Sequence, residues 1–95
     1  MIIAVVGSGG KTTLIKKLAA QYRSEGKSVL VTTTTHMFIE EDTLLTDDAV
    51  TIMQALNETG YVMAGIPDGQ KFKALSKETF DAVCAIADVV LVEAD

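Results

Sequence analysis

Apolar residues in this chain fall into short unbroken runs, and the stretches between them carry a helical period. Residues 1–6 are continuously apolar rather than alternating, the pattern of a strand buried on both faces of a parallel sheet. Over residues 12–25 the apolar positions Leu14, Ile15, Leu18, Ala19 and Tyr22 share one side of a helix. Lys16, Lys17, Gln21 and Arg23 share the other, and Gly26 suits a left-handed C-terminal cap. Residues 28–33 form a β-branched second strand running into Thr34-Thr35-His36, and residues 37–45 read as a loop. Thr46 reads as the N-cap of a helix reaching about Glu58, with Asp47 and Asp48 in a first turn whose dipole favours acids. Residues 61–66 are a third apolar strand, closed by a Pro67-Asp68-Gly69 turn. Ser76 caps another helix, whose Phe80, Val83, Cys84 and Ala87 share a face, and residues 88–95 make a fourth strand ending on acids. The order βαβαβαβ predicts the α/β class: a three-layer αβα sandwich with a mainly parallel sheet of about four strands. The first strand is expected in the interior of that sheet.

Composition narrows the function. At 95 residues, 48% of them hydrophobic, the chain is one folded domain and not a disordered segment. A formal net charge of −5 argues against nucleic acid or an anionic membrane as the main partner, since both select basic surfaces. No apolar run is long enough to span a bilayer, and Met1-Ile2-Ile3 lacks the basic flank of a signal peptide. The single cysteine cannot form an internal disulfide, which fits a cytoplasmic protein.

The chemistry is concentrated where the first strand stops. Gly7-Ser8-Gly9-Gly10-Lys11-Thr12-Thr13 places small residues between an apolar strand and an amphipathic helix. Glycines let the backbone curl so that successive N–H groups face an anion, and the helix N-terminus adds its unpaired N–H groups and positive dipole end. In such a loop Lys11 reaches the β/γ-phosphates and the Thr12 hydroxyl ligates Mg²⁺. The match to G-x-x-x-x-G-K-[ST] is incomplete, because Val5 stands where the first glycine belongs; the compact form G-x-x-G-K-T-T is present instead. A glycine turn alone would explain the spacing, and the strand-loop-helix context is what favours phosphate. A dinucleotide fingerprint is excluded: the third glycine is missing, and threonines occupy the end of the second strand where a ribose-binding acid would sit. The reading is therefore a P-loop NTPase-like sandwich with a site for Mg²⁺ with ATP or GTP, the base left open.

Glu93 and Asp95 end the fourth strand as a Walker B acid would, and residues two apart on a strand share a face, so either or both could serve one ion. The candidate sets are thus Gly7, Ser8, Gly9, Gly10, Lys11, Thr12 and Thr13 for the nucleotide, Thr12, Glu93 and Asp95 for the metal, and Lys11 and Asp95 for catalysis. The four consecutive threonines 32–35 end at the same rim and could bond phosphate, metal-bound water or a second substrate. His36, with no partner visible in sequence, reads as a surface or capping residue, Cys84 as a small core residue, and Lys71 and Lys73 as solvated loop lysines.

Taken together, Val6-x-x-Gly9-Gly10-Lys11-Thr12-Thr13, the strand 29–37 with its four threonines, Lys71-Phe72-Lys73-Ala74-Leu75, and 87–95 ending Val-Glu-Ala-Asp resemble the YqeC-type family over the whole chain. The P-loop alone is generic and is shared with Mur-type ligases. The resemblance implies an ATP- or GTP-binding accessory protein of selenium-cofactor biosynthesis, with a selenium-dependent molybdenum hydroxylase or its maturation factors as partner. It implies nucleotide hydrolysis or phosphoryl transfer; a non-catalytic docking module and a Mur-like carboxylate-activating domain are the alternatives. The family pattern continues past Val-Glu-Ala-Asp, so residues 1–95 are expected to be a single nucleotide-binding domain from the N-terminal part of a longer pattern, binding nucleotide poorly and slow or inactive in turnover by themselves.

Overall fold

The computed structural model describes residues 1–7 and 9–94. In chain order the elements are β1 (Ile2–Val5), α1 (Lys11–Ser24), β2 (Val29–Thr33), β3 (His36–Phe38), β4 (Leu44–Leu45), α2 (Ala49–Thr59), β5 (Tyr61–Asp68), β6 (Lys71–Lys73), α3 (Lys77–Cys84) and β7 (Val89–Glu93). This is an α/β structure with a mixed sheet and three helices, the sheet ordered β1-β7-β2-β5-β6-β3 with β4 beside β5. Pairing is parallel through β1, β7, β2 and β5 and between β4 and β5, and antiparallel through β5, β6 and β3.

Alternation along the strands splits the core into two layers. Val29, Val31, Val89 and Leu91 pack with Ile15 and Ala19 of α1. Leu30, Val90 and Val92 point the other way, onto Ile52 and Leu56 of α2 and Val83 of α3. Because β2 and β7 are covered on both faces, every residue in them is buried, which is why they read as unbroken apolar runs.

The first strand departs from expectation. β1 lies at an edge of the sheet, hydrogen-bonded to β7, and not in the interior. Val5 is buried on the α1 side, whereas Ile2 and Val6 are 57% and 64% exposed. The apolar run specifies a strand but not cover for both of its faces. On α1 the apolar side is narrower than its periodicity suggests: Ile15 and Ala19 are buried, while Leu14 faces solvent.

Three short strands also differ from the sequence reading. β3 and β4 lie where a loop is expected, and β6 where solvated loop lysines are expected. Pro67 and Asp68 belong to β5, and the hairpin to β6 closes through Gly69-Gln70, with glycine at positive φ in the first loop position, where a type II′ turn wants it. Gly65 is required for a different reason. A Cβ there would collide with the Phe72 ring and the Lys73 carbonyl, so its absence lets β6 lay Phe72 into the core. α2 is capped by Asp48, whose carboxylate accepts the Thr51 N–H, and not by Thr46, whose hydroxyl instead accepts the Asp48 N–H. Ser76 caps α3 as expected.

Candidate functional site

β1 delivers the chain to a turn built from three glycines at positive φ, Gly7 at 116°, Gly9 at 78° and Gly10 at 70°. No atom of the described residues crowds the places their Cβ atoms would take, so the backbone conformation itself calls for glycine. Gly10 is the N-cap of α1; among the described residues no side chain caps that helix, and the Gly10 carbonyl accepts the Leu14 N–H at 3.0 Å. First-turn amides, such as those of Thr12 and Thr13, have no carbonyl beneath them inside the helix. Both threonines are exposed, and their hydroxyls bond no described residue. Ser8, one of the expected nucleotide ligands, lies outside the described residues.

Lys11 is the residue around which the site is organised. From the first turn of α1 its ammonium reaches the end of β7, 3.3 Å from Glu93 Oε1 and 3.4 Å from the Ala94 carbonyl. The two side chains are only 14% and 12% exposed, so this ion pair is mostly out of water. The backbone around Glu93 is held from both sides. Ala94 N–H donates to the Val5 carbonyl at 3.0 Å, and the Glu93 carbonyl accepts the Thr34 N–H and the Thr33 hydroxyl, each at 3.0 Å. The glycine turn, Lys11 and Glu93 therefore meet at the carboxyl ends of β1, β7 and β2, the end of an open parallel sheet at which ligands gather. Asp95, expected to serve metal and catalysis, lies outside the described residues.

Among the described residues no three His, Cys, Asp or Glu side chains gather as a metal cage. The donor types at this rim still suit Mg²⁺, which is commonly bound through one or two carboxylates and phosphate oxygens while keeping several waters. Glu93 supplies a buried carboxylate and Thr12 an exposed hydroxyl. The Ala94 carbonyl as a partner of Lys11 is beyond sequence reasoning, since a backbone acceptor leaves no residue signature.

The threonine run divides its labour. Thr32 donates to the Ala64 carbonyl at 2.9 Å, and Thr33 bonds the Glu93 carbonyl and the Thr35 hydroxyl. Among the described residues only the Thr34 hydroxyl of the four finds no hydrogen-bond partner. His36 does have a partner, Asp68 Oδ2 at 2.9 Å across the β3-β6-β5 strands, and both are about half exposed. Sequence reasoning misses that pair because β3 and β6 are too short to show as strands. Lys71 lies 4.7 Å from the centre of the exposed Phe38 ring. Cys84 is partly buried, and desolvation, aided by the nearby Asp81 charge, raises its thiol pKa, which disfavours the thiolate and fits a packing role.

No helix is long and apolar enough to cross a membrane among the described residues. A relative from Escherichia coli (strain K12), described as "Uncharacterized protein YqeC", is 55% identical over 38 residues, 40% of this chain and 15% of that protein's length. No solved structure matches the chain at a meaningful level. The model of the YqeC protein family matches residues 3–95, nearly the whole chain, and the chain belongs to that family.

Proposed function

We propose that the chain is a P-loop nucleotide-binding domain that takes Mg²⁺ with ATP or GTP at the carboxyl rim of its sheet. The observation that carries this reading is the Lys11–Glu93 pair, mostly buried, beside a turn of three positive-φ glycines that opens α1. In it Lys11, Thr13 and the amides of the turn bind the nucleotide, and the Thr12 hydroxyl and Glu93 hold the cation. Asp95 remains the second acid of the set. A bound Mg²⁺ would offset phosphate charge. Glu93 is a counter-ion of the Lys11 ammonium, so a bound phosphate would compete with it for Lys11, and the Glu93 carboxylate would then be available to a cation.

Family membership supports the wider role: an accessory step, by nucleotide hydrolysis or phosphoryl transfer, in maturation of selenium-dependent molybdenum hydroxylases. The competing account is that Lys11 only pins α1 to β7. Calorimetry with ATP, GTP and ADP, with and without Mg²⁺, separates the two. On the nucleotide reading Lys11→Ala weakens triphosphate binding by about 1.5–3 kcal/mol, the range for a hydrogen bond to a charged group. Unchanged affinity in folded Lys11→Ala protein would leave the pinning account.

A further inference from the structure

We infer that the cavity on the α3 side of the same rim is a subsite for a second ligand: a small, flat, largely apolar molecule carrying one carboxylate. The inference rests on the nucleotide reading for its role as the second ligand of that rim. The cavity measures about 220 Å³ and is lined by Thr33, Thr34, Ala74, Leu75, Lys77 and Phe80. That is below the roughly 300–1,000 Å³ of sites for drug-sized ligands, so a single ring with a short substituent is the matching size. A larger cavity, about 350 Å³, opens at the amino ends of β2 and β7 beside Ser28 and Asp88, away from the rim where the site residues meet.

Position ties the smaller cavity to the site. Thr33 and Thr34 form one wall, and both bond the carbonyl of Glu93, whose carboxylate holds Lys11. Its other wall belongs to the segment entering α3. Leu75, Ala74 and Phe80 give an apolar lining, with Phe80 partly buried against the α2–α3 core. Two exposed polar residues, Thr34 and Lys77, belong to that lining. The Thr34 hydroxyl is the one in the threonine run without a partner among the described residues. Lys77 supplies a cation; its ammonium bonds Asp81 at 2.8 Å in an exposed pair, which solvent screening makes easy to exchange for a ligand carboxylate. An aromatic ring against Phe80 and Leu75, with its carboxylate between Thr34 and Lys77, uses every one of these groups.

The test is an amide and ring-proton NMR titration of the chain with benzoate, with benzamide as the uncharged match, and separately with Mg²⁺-ATP. Benzoate is expected to shift Thr34, Leu75, Lys77 and the Phe80 ring, with a dissociation constant on the order of 1–10 mM for a ligand so small. Thr34→Val should weaken it roughly 3- to 10-fold, as loss of one hydrogen bond does, and Phe80→Ala and benzamide should both bind more weakly. Shifts that miss the cavity, or that Thr34→Val leaves unchanged, overturn the subsite. If benzoate fills the cavity while Mg²⁺-ATP leaves residues 9–13 unmoved, the nucleotide reading fails and with it the role as second ligand, whereas ATP shifts without benzoate shifts refute the subsite alone.

Discussion

β1 and β7 lie side by side in parallel register, Ile2 opposite Val90 and Val5 opposite Glu93, and both are apolar strands that end at the candidate site. β7 is covered by α1 on one face and by α2 and α3 on the other, and its Val89, Val90 and Leu91 have no exposed surface. β1 is covered on the α1 face alone, and Ile2 is more than half exposed. The same hydrophobic signal therefore has two different uses. In β7 it builds the core that positions Glu93; in β1 it holds one edge and launches the glycine turn. Ala94 N–H joins the strand ends by donating to the Val5 carbonyl, and Lys11 of α1 reaches Glu93 and Ala94 at the end of β7, so the deeply anchored strand supplies the acid and the edge strand supplies the loop.

The largest expected effect follows from that asymmetry. Leu91→Ala removes a fully buried side chain and should cost about 2–5 kcal/mol, as large-to-small core changes do. Ile2→Thr, on the bare face of β1, should stay within about 0.5 kcal/mol. Urea unfolding midpoints compare the two directly. A loss at Ile2 as large as that at Leu91 would mean that the outer face of β1 is covered in solution.

The second effect concerns the junction of the two strands. Glu93→Gln keeps the side-chain shape but takes one carboxylate away from the Lys11 ammonium, which stays mostly buried beside the Ala94 carbonyl. Removing one partner of a pair this dry costs stability, while on the nucleotide reading Lys11, with less competition for its protons, becomes a better phosphate ligand. Metal-free ATP should therefore bind more tightly to Glu93→Gln than to the parent, and Mg²⁺ should improve binding less. Calorimetry in EDTA and in Mg²⁺ reads both quantities. An unchanged Mg²⁺ dependence would remove Glu93 from the metal role and sharpen the case for a merely structural pair.

What the sequence discloses follows the same division. The long parallel strands, the three helices and the glycine turn are legible because their patterns are local: unbroken apolar runs, a 3.6-residue period, and glycine where φ must be positive. Lys11 and Glu93 can be named as candidates, from the glycine turn and from a strand end, but their contact with each other cannot be read from sequence. Strand order is illegible, since an apolar run does not say which helix will reach it, and the interior place expected for β1 is wrong for that reason. The strands β3, β4 and β6 have three, two and three residues, too few for a period to show. Phe72 makes the point: it reads as a loop residue between lysines, yet it is fully buried because Gly65 leaves room for its ring.

A smaller effect tests the flank of β2 opposite β7, where β5 begins. Tyr61 packs against the α1-side core, and burial, then the charges of Asp42 and Glu40, pushes its hydroxyl pKa up to about 12 from the ordinary 10. A raised folded value means that the neutral form is favoured by folding. Its contribution is complete below pH about 10, the unfolded value, and is lost as pH climbs through about 12. Thermal melts should fall across that window, and Tyr61→Phe should flatten the fall. An identical alkaline slope in the two proteins would show that Tyr61 is solvated.

The smallest effect lies at the amino ends of β7 and β2, where the strands are joined away from the candidate site. The Asp88 carboxylate accepts the Ser28 N–H at 2.8 Å and the Ser28 hydroxyl at 3.2 Å, and the Ser28 hydroxyl accepts the Asp88 N–H at 2.9 Å. The Ser28 N–H bond, then its hydroxyl, hold the Asp88 pKa below the usual carboxylate range, with smaller help from the Lys27 and N-terminal charges. A lowered folded value means that the unfolded chain binds the proton first on acidification. The contribution is therefore present above the ordinary carboxylate value near 3.9 and lost as pH falls through the lower folded value. Because the group is fully exposed, the effect is confined to a modest steepening of the acid limb. Asp88→Asn should reduce that steepening in urea midpoints measured from neutral pH downward, with little change at neutrality beyond the weaker acceptor. Should the acid limb of Asp88→Asn match that of the parent, the clamp contributes nothing, and the two strands are held at this end by their ladder alone.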